Sequence, residues 1–114
     1  MQPSHEWPQE LAELQARRDF AAAMGGETAL ARWKDVGRLN ARERIDVLVD
    51  AGSFQEMGAL TGKGRYASDG TLESVTPSTQ VMGLARIEAR PVVVVSDDFT
   101  IRGGSSEAAV SEKW

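Results

Sequence analysis

The 114-residue chain has no cysteine, a single histidine and only 6% aromatic residues. Without cysteine there is no disulfide framework, no thiolate metal site and no thiol nucleophile. The lone histidine, His5, stands in a polar leader, where a solvated terminal side chain is expected. Covalent catalysis by a Ser–His or Cys–His pair therefore has no support. Long hydrophobic runs are absent too: the longest aliphatic run, Val92 to Val95, falls far short of the ~20 residues a membrane helix needs. Nor is there an excess of positive charge. Lys+Arg 13 against Asp+Glu 17 gives a net charge of -4, with the signs interleaved, whereas a sequence-independent nucleic-acid binder would be basic. Residues 1–7 lack the basic and apolar regions of a secretory signal, so the expected setting is cytoplasmic.

What is present, 41% hydrophobic and 26% charged residues, suits one soluble domain at most. A helix is expected from Pro8, which is tolerated in a first turn, to the stop at Gly25-Gly26, with a thin apolar stripe of Leu11, Leu14, Ala21 and Ala22. A second runs from Glu27 to about Asp35. The third is the best specified: Asn40 is a cap, Glu43 completes a capping box, and Ile45, Leu48 and Val49 share a face. Arg42 and Arg44 project from its first turns, where a cation opposes the helix dipole. They pair with Glu43 and Asp46 or have another anionic partner.

Phe54 to Met57 reads as a short strand, and Ala59 to Ser78, rich in Gly, Ser and Thr, as a long aperiodic loop. Thr79 to Ile87 and Pro91 to Ser96 form a hairpin pattern about Glu88-Ala89-Arg90. The unbroken valines of the second strand imply burial on both faces. Asp97 to Ile101 should continue extended, Gly103-Gly104 should turn the backbone, and Ser105 should cap a helix reaching Trp114. That helix has no stop signal, and a strand buried on both faces needs further layers, so the chain reads as cut.

Gly62-Lys63-Gly64 is not a phosphate loop, because its spacing to Gly58 is short and Gly64 stands where Ser or Thr should bind magnesium. Gly62, Gly64 and Ala67 meet a loose dinucleotide fingerprint, but no aliphatic strand precedes them and Ser68-Asp69-Gly70 cannot open a helix. Asp97 and Asp98, adjacent on a strand, point to opposite faces and do not converge on a metal. The strand, Gly-Gly turn and helix start over Phe99 to Ser106 could aim N–H groups at an anion, although Glu107 already occupies the dipole; anion site and structural turn both remain open.

Two stretches go beyond periodicity: GRLNARERIDVLVDAGSF, Gly37 to Phe54, and RPVVVVSDDFTIRGGSS, Arg90 to Ser106. They resemble the N-terminal part of the carboxyltransferase (beta) subunits of biotin-dependent acyl-CoA carboxylases, the propionyl-CoA carboxylase and methylmalonyl-CoA carboxyltransferase family. The resemblance implies an α/β fold, the N-terminal portion of a crotonase (ClpP)-like spiral of strand-strand-helix turns, preceded by short helices. Residues 1–36 would be a helical leader and 37–114 an incomplete first carboxyltransferase domain.

It further implies an enzyme that moves a carboxyl group from carboxybiotin to the α-carbon of an acetyl-CoA or propionyl-CoA class substrate, with no activity in this stretch alone. Biotin would ride on a separate carrier domain. Partners would be the biotin carboxylase or carrier subunit and further carboxyltransferase copies. Arg42, Arg44, Gly103, Gly104 and Ser105 become the candidates for acyl-CoA binding, with no catalytic or metal-binding residue. The family's oxyanion glycines lie in later segments, so Gly103-Gly104 is not equated with them. Ala89 stands where the family commonly has a hairpin glycine. The rival reading is a non-catalytic interaction module that docks onto a carboxylase.

Overall fold

The computed structural model describes residues 7–104, and the expectations for His5, Ser105 and the helix toward Trp114 lie outside them. The chain is α/β, with helices first and strands after. Helix α1 spans Pro8–Ala22, α2 Glu27–Asp35 and α3 Ala41–Leu48. No helix among the described residues is long and apolar enough to cross a membrane. The local signals account for these boundaries. Pro occupies the first turn of α1, and Gly26 at φ 95 separates α1 from α2 in a conformation that L side chains avoid. In α3 both halves of the capping box form: Asn40 accepts from the Glu43 N–H at 2.9 Å, and Glu43 accepts from the Asn40 N–H at 3.0 Å.

Five strands follow: β1 Gln55–Met57, β2 Gly62–Tyr66, β3 Leu72–Pro77, β4 Gln80–Ile87 and β5 Arg90–Asp97. They form an antiparallel three-stranded sheet in the order β1-β4-β5 and a separate β2-β3 ribbon. The ribbon corrects the expectation of an aperiodic loop over 59–78. Its strands are short, β2 carries two glycines, and none of their residues is fully buried, so no alternation of apolar residues marks them. Tertiary contact supplies what the pattern lacks: Arg17 of α1 donates to the Tyr66 hydroxyl at 2.7 Å while also pairing with Glu13 at 2.9 Å. At the ribbon's turn Asp69 accepts from the N–H of Thr71 at 2.9 Å and from its hydroxyl.

The hairpin of β4 and β5 is tighter than the sequence suggested. Register pairs Ile87 with Arg90, leaving Glu88 and Ala89 alone in the turn at φ 51 and 65, the geometry of a type I′ turn. Asp50, just past α3, closes it: its carboxylate accepts from the Glu88 N–H at 2.9 Å and the Ala89 N–H at 2.8 Å.

One sheet face carries the core. Val81, Ala85 and Val94 pack with Ile45 and Ala41 of α3 and with Met24, and Leu30, Val49, Phe54 and Val92 border them. The opposite face holds Met57, Met82 and Val95 in one register row and Leu84 and Val93 in the next. Here the structure corrects the expectation of a doubly buried strand. Val94 is 6% exposed but Val93 is 67% exposed, so among the described residues only α3's side of β5 has a layer over it. The extended run expected over Asp97 to Ile101 is also corrected: β5 ends at Asp97, and the chain turns there.

Candidate functional site

The turn after β5 is set by a buried carboxylate. Asp98, 1% exposed, accepts from the Thr100 N–H at 2.9 Å and from its hydroxyl at 2.5 Å, and its own N–H donates to the Thr79 carbonyl at 2.6 Å. The Thr100 hydroxyl oxygen accepts in turn from the Gly25 N–H at 3.0 Å. Gly25 is there for space, since a Cβ would lie 1.9 Å from the Thr100 carbonyl oxygen. The α1–α2 junction and the end of β5 are thereby held against each other. Asp97 is exposed and accepts from Gln80 Nε2 at 3.2 Å, so the two acids do face apart as their adjacency required.

The turn brings Phe99 onto Trp33 of α2, with ring centroids 5.8 Å apart and planes 10° from parallel. Arg38 covers Trp33 at 5.0 Å, and the indole N–H donates to the Leu39 carbonyl at 2.6 Å. Gly104 lies against Phe99, where a Cβ would come within 2.9 Å of the ring. Gly103 and Gly104 sit in a 3-10 turn, Arg102–Gly104, at φ 62 and 76. The Gly104 N–H donates to the Ile101 carbonyl at 2.8 Å. It is therefore spent inside the turn, which favours the structural reading over the anion-site reading for that group.

Arg42 and Arg44, two positions apart on a helix, diverge by roughly 200°. Arg42 faces β1 and grips Glu56 with both terminal nitrogens, at 2.8 Å each. Its partner is thus neither Glu43, which closes the capping box, nor Asp46. The pair is half-buried, with side-chain exposures of 27% and 19%, and the buried Arg42 Nε has no hydrogen-bond partner. Arg44 faces the other way and lines a shallow cleft with Trp33, Leu39, Asp97, Phe99 and Thr100. Among the described residues no ion pair holds it.

Two of the sequence candidates, Arg44 and Gly104, therefore meet at Phe99, Gly103 adjoins them, and Arg42 is turned away. Sequence reading missed Arg38, Trp33 and Phe99 as a stack, and missed Glu56. A pairing across more than sixty positions leaves no periodic signal; only the aromatic scarcity marked Trp33 and Phe99 at all. The edge offers two guanidinium groups beside an aromatic stack, a surface that can hold phosphate groups through charge-assisted hydrogen bonds. It holds no nucleophile–base pair, and no cluster of three or more potential metal ligands occurs among the described residues.

A family model described as "Carboxyl transferase domain" matches residues 33–114. The propionyl-CoA carboxylase carboxyltransferase subunit of Haloferax mediterranei is 36% identical over 102 residues, 89% of this chain and 20% of its own length. The methylmalonyl-CoA carboxyltransferase 12S subunit of Propionibacterium freudenreichii subsp. shermanii is 37% identical over 102 residues, 89% of this chain and 19% of its own. A solved structure of transcarboxylase 12S, a hexamer assembly with methylmalonyl-coenzyme A and methylmalonic acid bound, superposes with a TM-score of 0.75 at 31% identity. That likeness covers 97% of this chain and 22% of the other. The chain spans about a fifth of the length of the relatives it matches.

Proposed function

The chain belongs to the carboxyl transferase domain family, and from that premise we propose that it forms the opening part of a biotin-dependent acyl-CoA carboxyltransferase. The observation that carries the reading is the joint agreement of sequence and fold, 31% identity with a TM-score of 0.75 over 97% of the chain. On this reading residues 37–114 begin a crotonase-like spiral and 1–36 are a helical leader. The whole enzyme transfers a carboxyl group from carboxybiotin to the α-carbon of an acetyl-CoA or propionyl-CoA class substrate in the cytoplasm. It works with a biotin carboxylase or carrier subunit and with further copies of itself.

The residues of this stretch bind and position. Arg44, without an ion pair among the described residues and beside the Trp33–Phe99 stack, takes a phosphate of CoA, and Gly103 and Gly104 lie at the same edge; Ser105, the remaining candidate, lies outside the described residues. Arg42, its guanidinium filled by Glu56, gives up the substrate role expected for it and holds α3 to β1. Two clefts beside α1 are open to solvent, and on this reading biotin rides on a separate carrier. Biotin, when bound, supplies the activated carboxyl group.

The test is a chimera in which this chain replaces the matching fifth of the Propionibacterium 12S subunit. Carboxyl transfer to propionyl-CoA is expected from the chimera and none from the isolated 114-residue chain. A folded chimera without transfer, or transfer by the isolated chain, overturns the reading.

A further inference from the structure

Where the end of α1, the first turn of α3, β1, the start of β4 and the turn after β5 come together, a small cavity of about 10 Å³ remains. Ala21, Arg42, Glu56, Ser78, Val81 and Asp98 are among the residues that line it, and of these Ala21, Ser78, Val81 and Asp98 are buried. Both terminal nitrogens of Arg42 are spent, on Glu56 at 2.8 Å each and on the Ala21 carbonyl at 3.5 Å. Its Nε is buried and has no partner among the described residues. Asp98 shows the converse: every hydrogen bond its carboxylate accepts among the described residues ends on Oδ1, so Oδ2 keeps its capacity to accept. Buried polar groups in folded proteins are satisfied by protein or by ordered solvent, and a donor such as Nε calls for one or the other.

Size and charge select the occupant. A single water needs roughly 10–15 Å³ of such space and two to four polar partners, so the cavity has room for one water and nothing larger. The Arg42 guanidinium in its wall repels a metal cation, and the Glu56 and Asp98 carboxylates repel an anion. Cavities that stay dry are apolar, and this one is lined by a guanidinium, two carboxylates and a hydroxyl.

We propose that one structural water is bound here, accepting from Arg42 Nε and donating to Asp98 Oδ2. The Ser78 hydroxyl, whose oxygen accepts from the Gln80 N–H at 3.2 Å, supplies its proton as a third bond to the water. The water joins two centres of the fold. One is the Arg42–Glu56 pair, which holds α3 to β1; the other is the Asp98–Thr100 turn, which carries Phe99. The proposal stands on the side chains of this chain and is independent of the family reading.

The test is water–protein magnetisation transfer by NMR on the isotope-labelled 114-residue chain. Arg42 Hε, identified by its loss in Arg42→Lys, and the methyl groups of Ala21 and Val81 are expected to show cross-peaks to water. For a long-lived bound water those peaks change sign relative to the diagonal between the laboratory-frame and rotating-frame spectra, whereas direct proton exchange keeps one sign in both. The peaks are expected to persist in Ser78→Ala and in Thr61→Val, where the hydroxyls lining the cavity can no longer relay magnetisation from bulk water. Their loss in either variant assigns them to that hydroxyl and overturns the proposal. A visible Hε without the peaks means a dry cavity and overturns it, and an Hε lost to rapid exchange places Nε in bulk solvent and overturns it equally. Should the isolated chain not fold, a high-resolution crystal structure of the 12S chimera reads the same site. Electron density for a water within about 3 Å of both Nε and Asp98 Oδ2 is expected; empty density there, or a protein acceptor on Nε, overturns the proposal.

Discussion

Single residues at the turn and on α3 divide by what they face. Asp50 neutralises two N–H groups of a turn whose residues both have positive φ. Asp50→Ala leaves those donors without their partner and should lower stability by about 1–2 kcal/mol, measured by urea unfolding. Ala89→Gly, at φ 65, should act oppositely, raising stability by about 1 kcal/mol as left-handed strain is relieved. For the arginines, Arg42→Ala leaves the half-buried Glu56 unpaired. Partial exposure of the pair reduces the cost from the buried-pair value to about 1–2 kcal/mol. Arg44→Ala should leave stability within about 0.5 kcal/mol and, in the 12S chimera, raise the acyl-CoA KM with kcat nearly unchanged. An unaltered KM makes Arg44 structural. Asp69 is held below its ordinary carboxylate value by the Thr71 hydroxyl and then by the Thr71 N–H. A lowered folded value means that the charged form favours the turn, so its contribution is whole above the unfolded value and fades as pH falls through the folded one. The Thr71 amide resonance should accordingly move only well into acid, and not at all in Asp69→Asn.

At the scale of elements, α3 and the β2-β3 ribbon are opposites. In α3 the cap, the capping box and Ile45 buried beneath it agree with its place in the core, whereas Leu48, expected on the same face, is 55% exposed. Asn40→Ala should cost about 1 kcal/mol, seen as a lower midpoint with an unchanged denaturant slope. The ribbon has no such agreement. Its register shifts between Arg65 and Tyr66, its strands are largely exposed, and Arg17 ties it to α1 through Tyr66. For that reason the helices, β1 and the β4-β5 hairpin were legible from sequence while the ribbon was not: periodicity reports burial, and the ribbon buries little.

The whole molecule is loosely gathered. Its radius of gyration of 16.4 Å exceeds the ~13 Å usual for a compact chain near this length, and its sheet leaves Met57, Leu84 and Val93 exposed on one face. The isolated chain should therefore be marginally stable, with helical circular dichroism and tryptophan emission losing signal at different urea concentrations. A single sharp transition of a monomer would contradict this. By itself the sequence determined the family, the three helices with the caps that bound them, and the antiparallel hairpin, because these rest on local chemistry and on two contiguous motifs. Only the tertiary structure decided that Arg42 serves Glu56 and Arg44 faces the aromatic edge, that residues 59–78 pair as a ribbon against α1, and that one side of β5 is exposed. Each depends on a partner far along the chain, and a side chain's neighbours across the fold are set by packing, which no spacing in the sequence records.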